Sequence, residues 1–350
     1  MNLRGLVIVE EGGHSRLSQG RVRVPALEHV ANRPILEHVL DAMHGAGVEE
    51  VVVSAPASQT GEIRARIAAH KNLALRYLEH EAPLDLPGAL RLAAPLLEGA
   101  PCIVHRGTGL LEEPLGRFVT RIHNPADALL VVHQASSPDE HLSPATQDML
   151  HLAEFSGDHA LGMAGVWLFG PDALPIVAAS AWDCGGEVDL TALGAQIAAA
   201  GGNLHVELAD SWRQYRGDPL ELLELNRIVL DWLDSGLRRP VNNGNHIEGR
   251  VSIHEAATVQ ASVIVGPAVI GPGARVADSY IGPYTSIGER ACVEGAEVER
   301  SIISAGASVQ HVGGRLVASV VGRDARVFRD FSLPRALRLR VGDGTEVALC

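Results

Sequence analysis

Lysine is almost missing from this chain: Lys71 is the only one in 350 residues, and every other basic side chain is arginine. Any step that needs an ammonium group therefore has a single candidate. Positive charge is scarce as a whole, with 29 Lys and Arg against 42 Asp and Glu and a formal net charge of −13. The summed field repels polyanions, which excludes nucleic acid as a partner. Aromatic residues make up only 4%. No uncharged apolar run approaches the about 18 residues of a membrane helix, and Arg4, Glu10 and Glu11 replace any signal-peptide pattern at the N-terminus. No membrane contact is expected, and the expected location is the cytoplasm. Cys102, Cys184, Cys292 and Cys350 lie far apart and match no CxxC spacing, so each reads as a buried thiol and no metal is expected. What is present, 46% hydrophobic residues with 37 Gly and 19 Pro, describes a folded chain long enough for two domains.

The first part alternates short apolar runs, residues 6–9, 51–54, 102–105 and 129–133, with helically spaced segments over 33–44, 61–70 and 88–97. This predicts an α/β domain, Rossmann-like, with a doubly wound, mostly parallel sheet. Such sheets bind ligands at the carboxyl ends of their strands, here 10–16, 54–60 and 106–111. An amphipathic helix over 219–233 closes this domain, taken as residues 1–240. A turn-rich linker, 241–250, carries Asn242, Asn243, Gly244 and Asn245. From Ile253 onward, apolar residues recur at Val259, Ile264, Ile270, Val276, Ile281, Ile287, Val293 and Val298, and the spacing from Ile264 to Ile281 repeats from Ile281 to Val298. A three-sided coil with one short strand per side has this period. Residues 251–350 are therefore expected to form a hexapeptide-repeat, left-handed parallel β-helix. Its open ends favour burial against a second copy, so a homo-oligomer is expected.

Several segments carry a resemblance. Ala31-Asn32-Arg33-Pro34-Ile35-Leu36, Gly165-Val166-Trp167-Leu168-Phe169, Gly186-Glu187-Val188-Asp189-Leu190-Thr191, Trp212, Asn226 and Ser279-Tyr280-Ile281-Gly282-Pro283-Tyr284-Thr285-Ser286-Ile287-Gly288 together span most of the chain. In these the chain resembles the sugar-1-phosphate nucleotidyltransferases, and among them the long-form glucose-1-phosphate thymidylyltransferases. In that family a sugar phosphate oxygen attacks the α-phosphorus of a nucleoside triphosphate and pyrophosphate leaves. Mg²⁺ and cationic side chains offset the developing charge.

The charged groups of that chemistry are replaced here. The family's glycine-rich loop corresponds to Glu11-Gly12-Gly13-His14-Ser15-Arg16-Leu17, keeping Arg16 but adding a carboxylate and an imidazole where backbone should approach phosphate closely. The two phosphate-binding lysines fall at Pro25-Ala26-Leu27 and near Glu154-Phe155-Ser156, and neither is present. The metal aspartate after the central strand falls at Thr108, within Arg106-Gly107-Thr108-Gly109, and the second falls at Gln214 or Tyr215. Neither replacement is a carboxylate ligand for Mg²⁺. The base-reading segment becomes His80-Glu81-Ala82-Pro83-Leu84-Asp85-Leu86.

The resemblance then implies a nucleotidyltransferase-like protein that has lost thymidylyl transfer. It is repurposed to bind a small molecule or a partner, such as an active paralogue, or to catalyse a metal-independent acid–base reaction, and no cofactor is expected. The alternative is a working thymidylyltransferase making dTDP-glucose from dTTP and glucose 1-phosphate, which needs Mg²⁺. His14, His80 and His105 are the candidate catalytic residues, because imidazole moves a proton near neutral pH. With 16 histidines in the chain, the bland reading of each is a surface or hydrogen-bonded residue. Arg16, Arg106, Thr108, Glu154, Glu187 and Arg213 are the candidate substrate-binding residues. Glu154 and Glu187 could instead cap local structure, and Arg16 and Arg213 could pair with Glu10 and Glu11. His254-Glu255-Ala256-Ala257-Thr258 begins like a zinc motif but lacks its second histidine.

Overall fold

The computed structural model describes residues 3–10, 24–68, 70, 72–82, 84–97, 99–135, 142, 161–180, 190–233 and 244–331. The chain forms two compact units, Met1–Glu11 with Ile35–Gln214, and Gly12–Pro34 with Tyr215–Cys350.

In the first unit, strands β1 (Arg4–Ile8), β2 (Glu50–Pro56), β3 (Ala74–His80), β4 (Cys102–Arg106), β6 (Ala128–Gln134), β7 (Leu161–Phe169) and β8 (Leu204–Leu208) form one sheet in the order β8-β6-β7-β4-β1-β2-β3. Every pairing is parallel except those of β7, which runs against β4 and β6. A small antiparallel ribbon pairs β5 (Gly109–Leu111) with β9 (Trp212–Gln214). Strand β2 shows why this sheet forms: Val51, Val52 and Val53 are all buried, as expected of a β-branched run covered on both faces. Helices α1 (Ile35–Gly45), α2 (Ala57–Ile67), α3 (Leu86–Leu97), α4 (Gly116–Val119), α5 (Ala173–Ala179) and α6 (Leu190–Ala199) accompany the strands. Leu90 and Ala93 of α3 share a core cluster with Leu6, Val52, Val104 and Trp167, which identifies the sheet face that α3 covers.

Helix boundaries differ from the spacing expectation, and two of the differences have a local cause. The segment expected to be helical from residue 33 begins at Ile35, because Ala31 and Asn32 adopt left-handed φ values of 46° and 67° and close a short ribbon pairing His29–Val30 with Arg33–Pro34. The helix expected over 61–70 starts at Ala57 and ends at Ile67, since Pro56 can precede a helix but not extend one backwards.

In the second unit, residues from His246 to Phe328 wind through three five-stranded parallel sheets as a left-handed parallel β-helix. Partners lie 17 residues apart in the early coils, as in His246↔Val263 and Val263↔Tyr280, and 18 apart at Glu297↔Arg315. Inward aliphatics stack in columns, Val259 with Val276, Val293 and Val309, and Ile270 with Ile287 and Ile303. The corners demand left-handed backbone even from non-glycine residues, including Ala261, Asp278 and His311 at φ 47°, 47° and 52°. Ladder bonds such as Asp278 N–H to Gln260 O (3.1 Å) and His311 N–H to Glu294 O (2.8 Å) offset that local cost.

Helix α7 (Pro219–Asp231) starts on a capping box made by Asp218 and Glu221. Asn226 within it accepts from Ala31 N–H (2.8 Å) and Ser286 Oγ (2.6 Å) and donates to the Tyr284 carbonyl (3.1 Å). Asn32 Nδ2 donates to the Ile287 carbonyl at 2.8 Å. These bonds tie α7 and residues 24–34 to the coils, with which they group in one compact unit.

Among the described residues no helix is long and apolar enough to cross a membrane. Cys102 is buried and Cys292 half-buried, both free; Cys184 and Cys350 lie outside the described residues.

Candidate functional site

The polar residues that converge in the first unit sit at the carboxyl ends of β1 and β4. Ile8 and Arg106 are register partners, and Gly107 N–H donates to the Ile8 carbonyl at 2.8 Å, which brings Glu10 and Arg106 side by side just beyond the sheet. The two form an ion pair between Glu10 Oε1 and Arg106 Nη1. The antiparallel pairing of Gln214 with Gly109 sets Gln214 against Thr108, and Gln214 Nε2 donates to Thr108 Oγ1 at 3.1 Å. The same amide nitrogen lies 3.4 Å from Glu10 Oε2. Thr108 and Gln214 are both buried.

Two glycines make this packing possible. A Cβ at Gly165 would lie 2.6 Å from Trp212 Cζ2 and 2.8 Å from Arg106 Cδ, and a Cβ at Gly109 would overlap the same indole. Trp212 thus wedges between the ribbon and the sheet, and Arg106 crosses Gly165 to place its guanidinium 5.8 Å from the Trp167 ring centre, at the outer range of a cation–π contact.

The remaining described candidates are not gathered there. His105 is sealed in the core with 1% exposure, its ring tilted against Trp212 at 5.5 Å, and its Nδ1 2.7 Å from the Arg106 carbonyl. Burial pushes its pKa down to about 4, opposed by that backbone hydrogen bond. The ring packs against Trp212. His80 ends β3, three strand positions from Arg106 and so about 14 Å away across the sheet. Its Nδ1 lies 2.7 Å from the Ala82 carbonyl, while Nε2 is buried with no hydrogen-bond partner. Arg213 alternates with Trp212 and Gln214 along β9 and therefore points away from Thr108; its Nη1 donates to the Trp212 carbonyl at 2.8 Å. Glu10 pairs with Arg106, not with Arg213 as the sequence allowed. His14, Arg16, Glu154 and Glu187 lie outside the described residues.

Sequence reasoning missed Glu10 as a partner of Arg106, and it missed Trp167 as the surface beneath it. The only available signal was Gly165 opening the Gly-Val-Trp-Leu-Phe segment, and its meaning depends on a strand pairing that joins residues about sixty apart in sequence.

No family model matches the chain. A glucose-1-phosphate thymidylyltransferase of Streptomyces griseus is 32% identical over 326 residues, covering 90% of this chain and 90% of the relative. The chain belongs to the sugar-1-phosphate nucleotidyltransferase family. A second member, a glucose-1-phosphate thymidylyltransferase of Streptomyces antibioticus, is 28% identical over 91% of this chain and 92% of its own length. A solved structure from Bacillus anthracis, named for the same enzyme and holding sucrose, superposes with a TM-score of 0.50 at 13% identity, over 64% of this chain and 94% of its own. That likeness concerns the fold.

Membership implies a Mg²⁺ site at the position of Thr108 and at that of Gln214 or Tyr215, and the residues present do not fit one. Mg²⁺ takes oxygen ligands, usually including one or two carboxylates, in octahedral array. Here an amide N–H donor points at the Thr108 oxygen, and the nearest carboxylate is already neutralised by Arg106. Among the described residues, no group of three or more His, Cys, Asp or Glu side chains could hold a metal ion.

Proposed function

We propose that this family member keeps the strand-end cleft as a small-molecule site but does not perform thymidylyl transfer. The observation that carries the reading is the 3.1 Å bond between Gln214 and Thr108, a neutral pair at the position implied for one metal-binding carboxylate and at one of the two positions, Gln214 or Tyr215, implied for the other. Splitting a triphosphate requires charge to be offset as pyrophosphate departs, and losing one charge-assisted contact costs about 2 to 4 kcal/mol of transition-state stabilisation. Among the described candidate histidines, His80 has a buried Nε2 without a hydrogen-bond partner, at a strand end about 14 Å across the sheet from Arg106. The protein then serves a biosynthetic pathway as a retooled enzyme or as the partner of an active copy of the fold, and its coil domain forms an oligomer with a second copy.

The opposing reading, an active glucose-1-phosphate thymidylyltransferase, is favoured by the names of two relatives that match about nine-tenths of the chain. Pyrophosphate release from dTTP and glucose 1-phosphate with Mg²⁺ separates the two. The proposal expects release no faster than in an enzyme-free control, and turnover that depends on Mg²⁺ overturns it.

A further inference from the structure

We propose that Arg106 is the centre of a receptor for an oxyanion, the phosphate or carboxylate group of a small molecule, and that Glu10 is the chain's own stand-in for that anion. This deepens the function proposed above and rests on its premise that no divalent cation sits between Thr108 and Gln214.

Glu10 occupies the site as a ligand would. One carboxylate oxygen pairs with Arg106 Nη1, and the other faces Gln214 Nε2 from 3.4 Å, too far for a strong bond. Among the described residues the Arg106 guanidinium has no other hydrogen bond, so most of its donor fork is open to an anion. The pair is displaceable, because the two side chains are 37% and 40% exposed and an ion pair of that kind contributes little.

Two buried donors without a partner lie on the same sheet face. Trp167 Nε1 and Ser54 Oγ have no hydrogen-bond partner. Trp167 is the register partner of Val104, two residues before Arg106, while Ser54 pairs with Ile8, which pairs in turn with Arg106. Alternation puts all of these side chains on the face covered by α3. Arg106 supplies a fixed positive charge beside the place where the family is implied to hold its metal, and it does so independently of pH.

The test is a titration in metal-free buffer with EDTA, read by tryptophan fluorescence, with inorganic phosphate in one arm and acetate in the other. Wild type, Glu10→Gln, Arg106→Gln and the double variant are compared, with Glu10→Ala as a second way of removing the carboxylate and circular dichroism to confirm folding. Both Glu10 variants are expected to bind at least one probe fivefold or more tightly than wild type, and neither Arg106 variant is expected to bind. A response confined to one arm assigns a phosphate or a carboxylate, and a response in both assigns the shared oxyanion. A change below fivefold in both arms, or binding that survives Arg106→Gln, overturns the proposal. Pyrophosphate release is not read here, so Mg²⁺-dependent turnover by the wild type would sink the functional reading while this comparison still gave its own answer.

Discussion

Asp127 offers a measurable link between protonation and the stability of the first unit. It precedes β6, is 1% exposed, and accepts from three backbone N–H groups: Oδ2 from His123 (3.0 Å) and Asn124 (2.9 Å), and Oδ1 from Asn203 (2.9 Å). Because Ala128 pairs with Leu204, these bonds clasp the entry of the edge strand β8 to that of β6. Burial raises the carboxyl pKa, but the three donors, with His205 nearby, outweigh it and hold the group at about 2, against 3.8 for a free aspartate. The folded value lies below the unfolded one, so the contribution is complete above pH about 4 and is lost as pH falls through the folded value. A shift of that size corresponds to about 2 kcal/mol, of which roughly 1 kcal/mol disappears between pH 6 and pH 3. Asp127→Asn turns an amide N–H₂ toward at least one of the backbone donors. Urea unfolding of wild type and variant from pH 6 to pH 3, followed by far-UV circular dichroism, should show the variant about 2 kcal/mol weaker at pH 6 and the gap narrowing as pH falls. A gap that stays constant, or widens in acid, would refute the assignment of the depressed pKa to these three donors.

Gly165→Ala should crowd Trp212 and Arg106 together and destabilise the first unit by about 1 to 3 kcal/mol, with a change in tryptophan emission; an unchanged spectrum and midpoint would contradict the wedge geometry. Asn226→Ala strips partners from the Ala31 amide, the Ser286 hydroxyl and the Tyr284 carbonyl, and should cost the second unit about 2 to 4 kcal/mol. Hydrogen exchange should then speed up at Ala31 before it does in the coil core. Equal protection at Ala31 in both proteins would show that Asn226 does not hold that turn.

The residues by themselves determined the period-based features. Aliphatics spaced so that Val259, Val276 and Val293 recur 17 residues apart can be buried together only by a three-sided coil, so the β-helix was legible before any coordinate. Central strands such as β1, β2 and β4 were equally plain, since hydrophobic burial depends on local pattern. The site was legible only in part. Thr108 and Gln214 were marked as replaced positions, but that they bond to each other depends on the pairing of β5 with β9, which joins residues about a hundred apart. That Glu10 belongs to Arg106, and that His105 is a buried neutral ring, were decided by tertiary structure alone. A charge or a proton affinity is set by what surrounds the group in space, and periodicity along a chain carries no record of those neighbours.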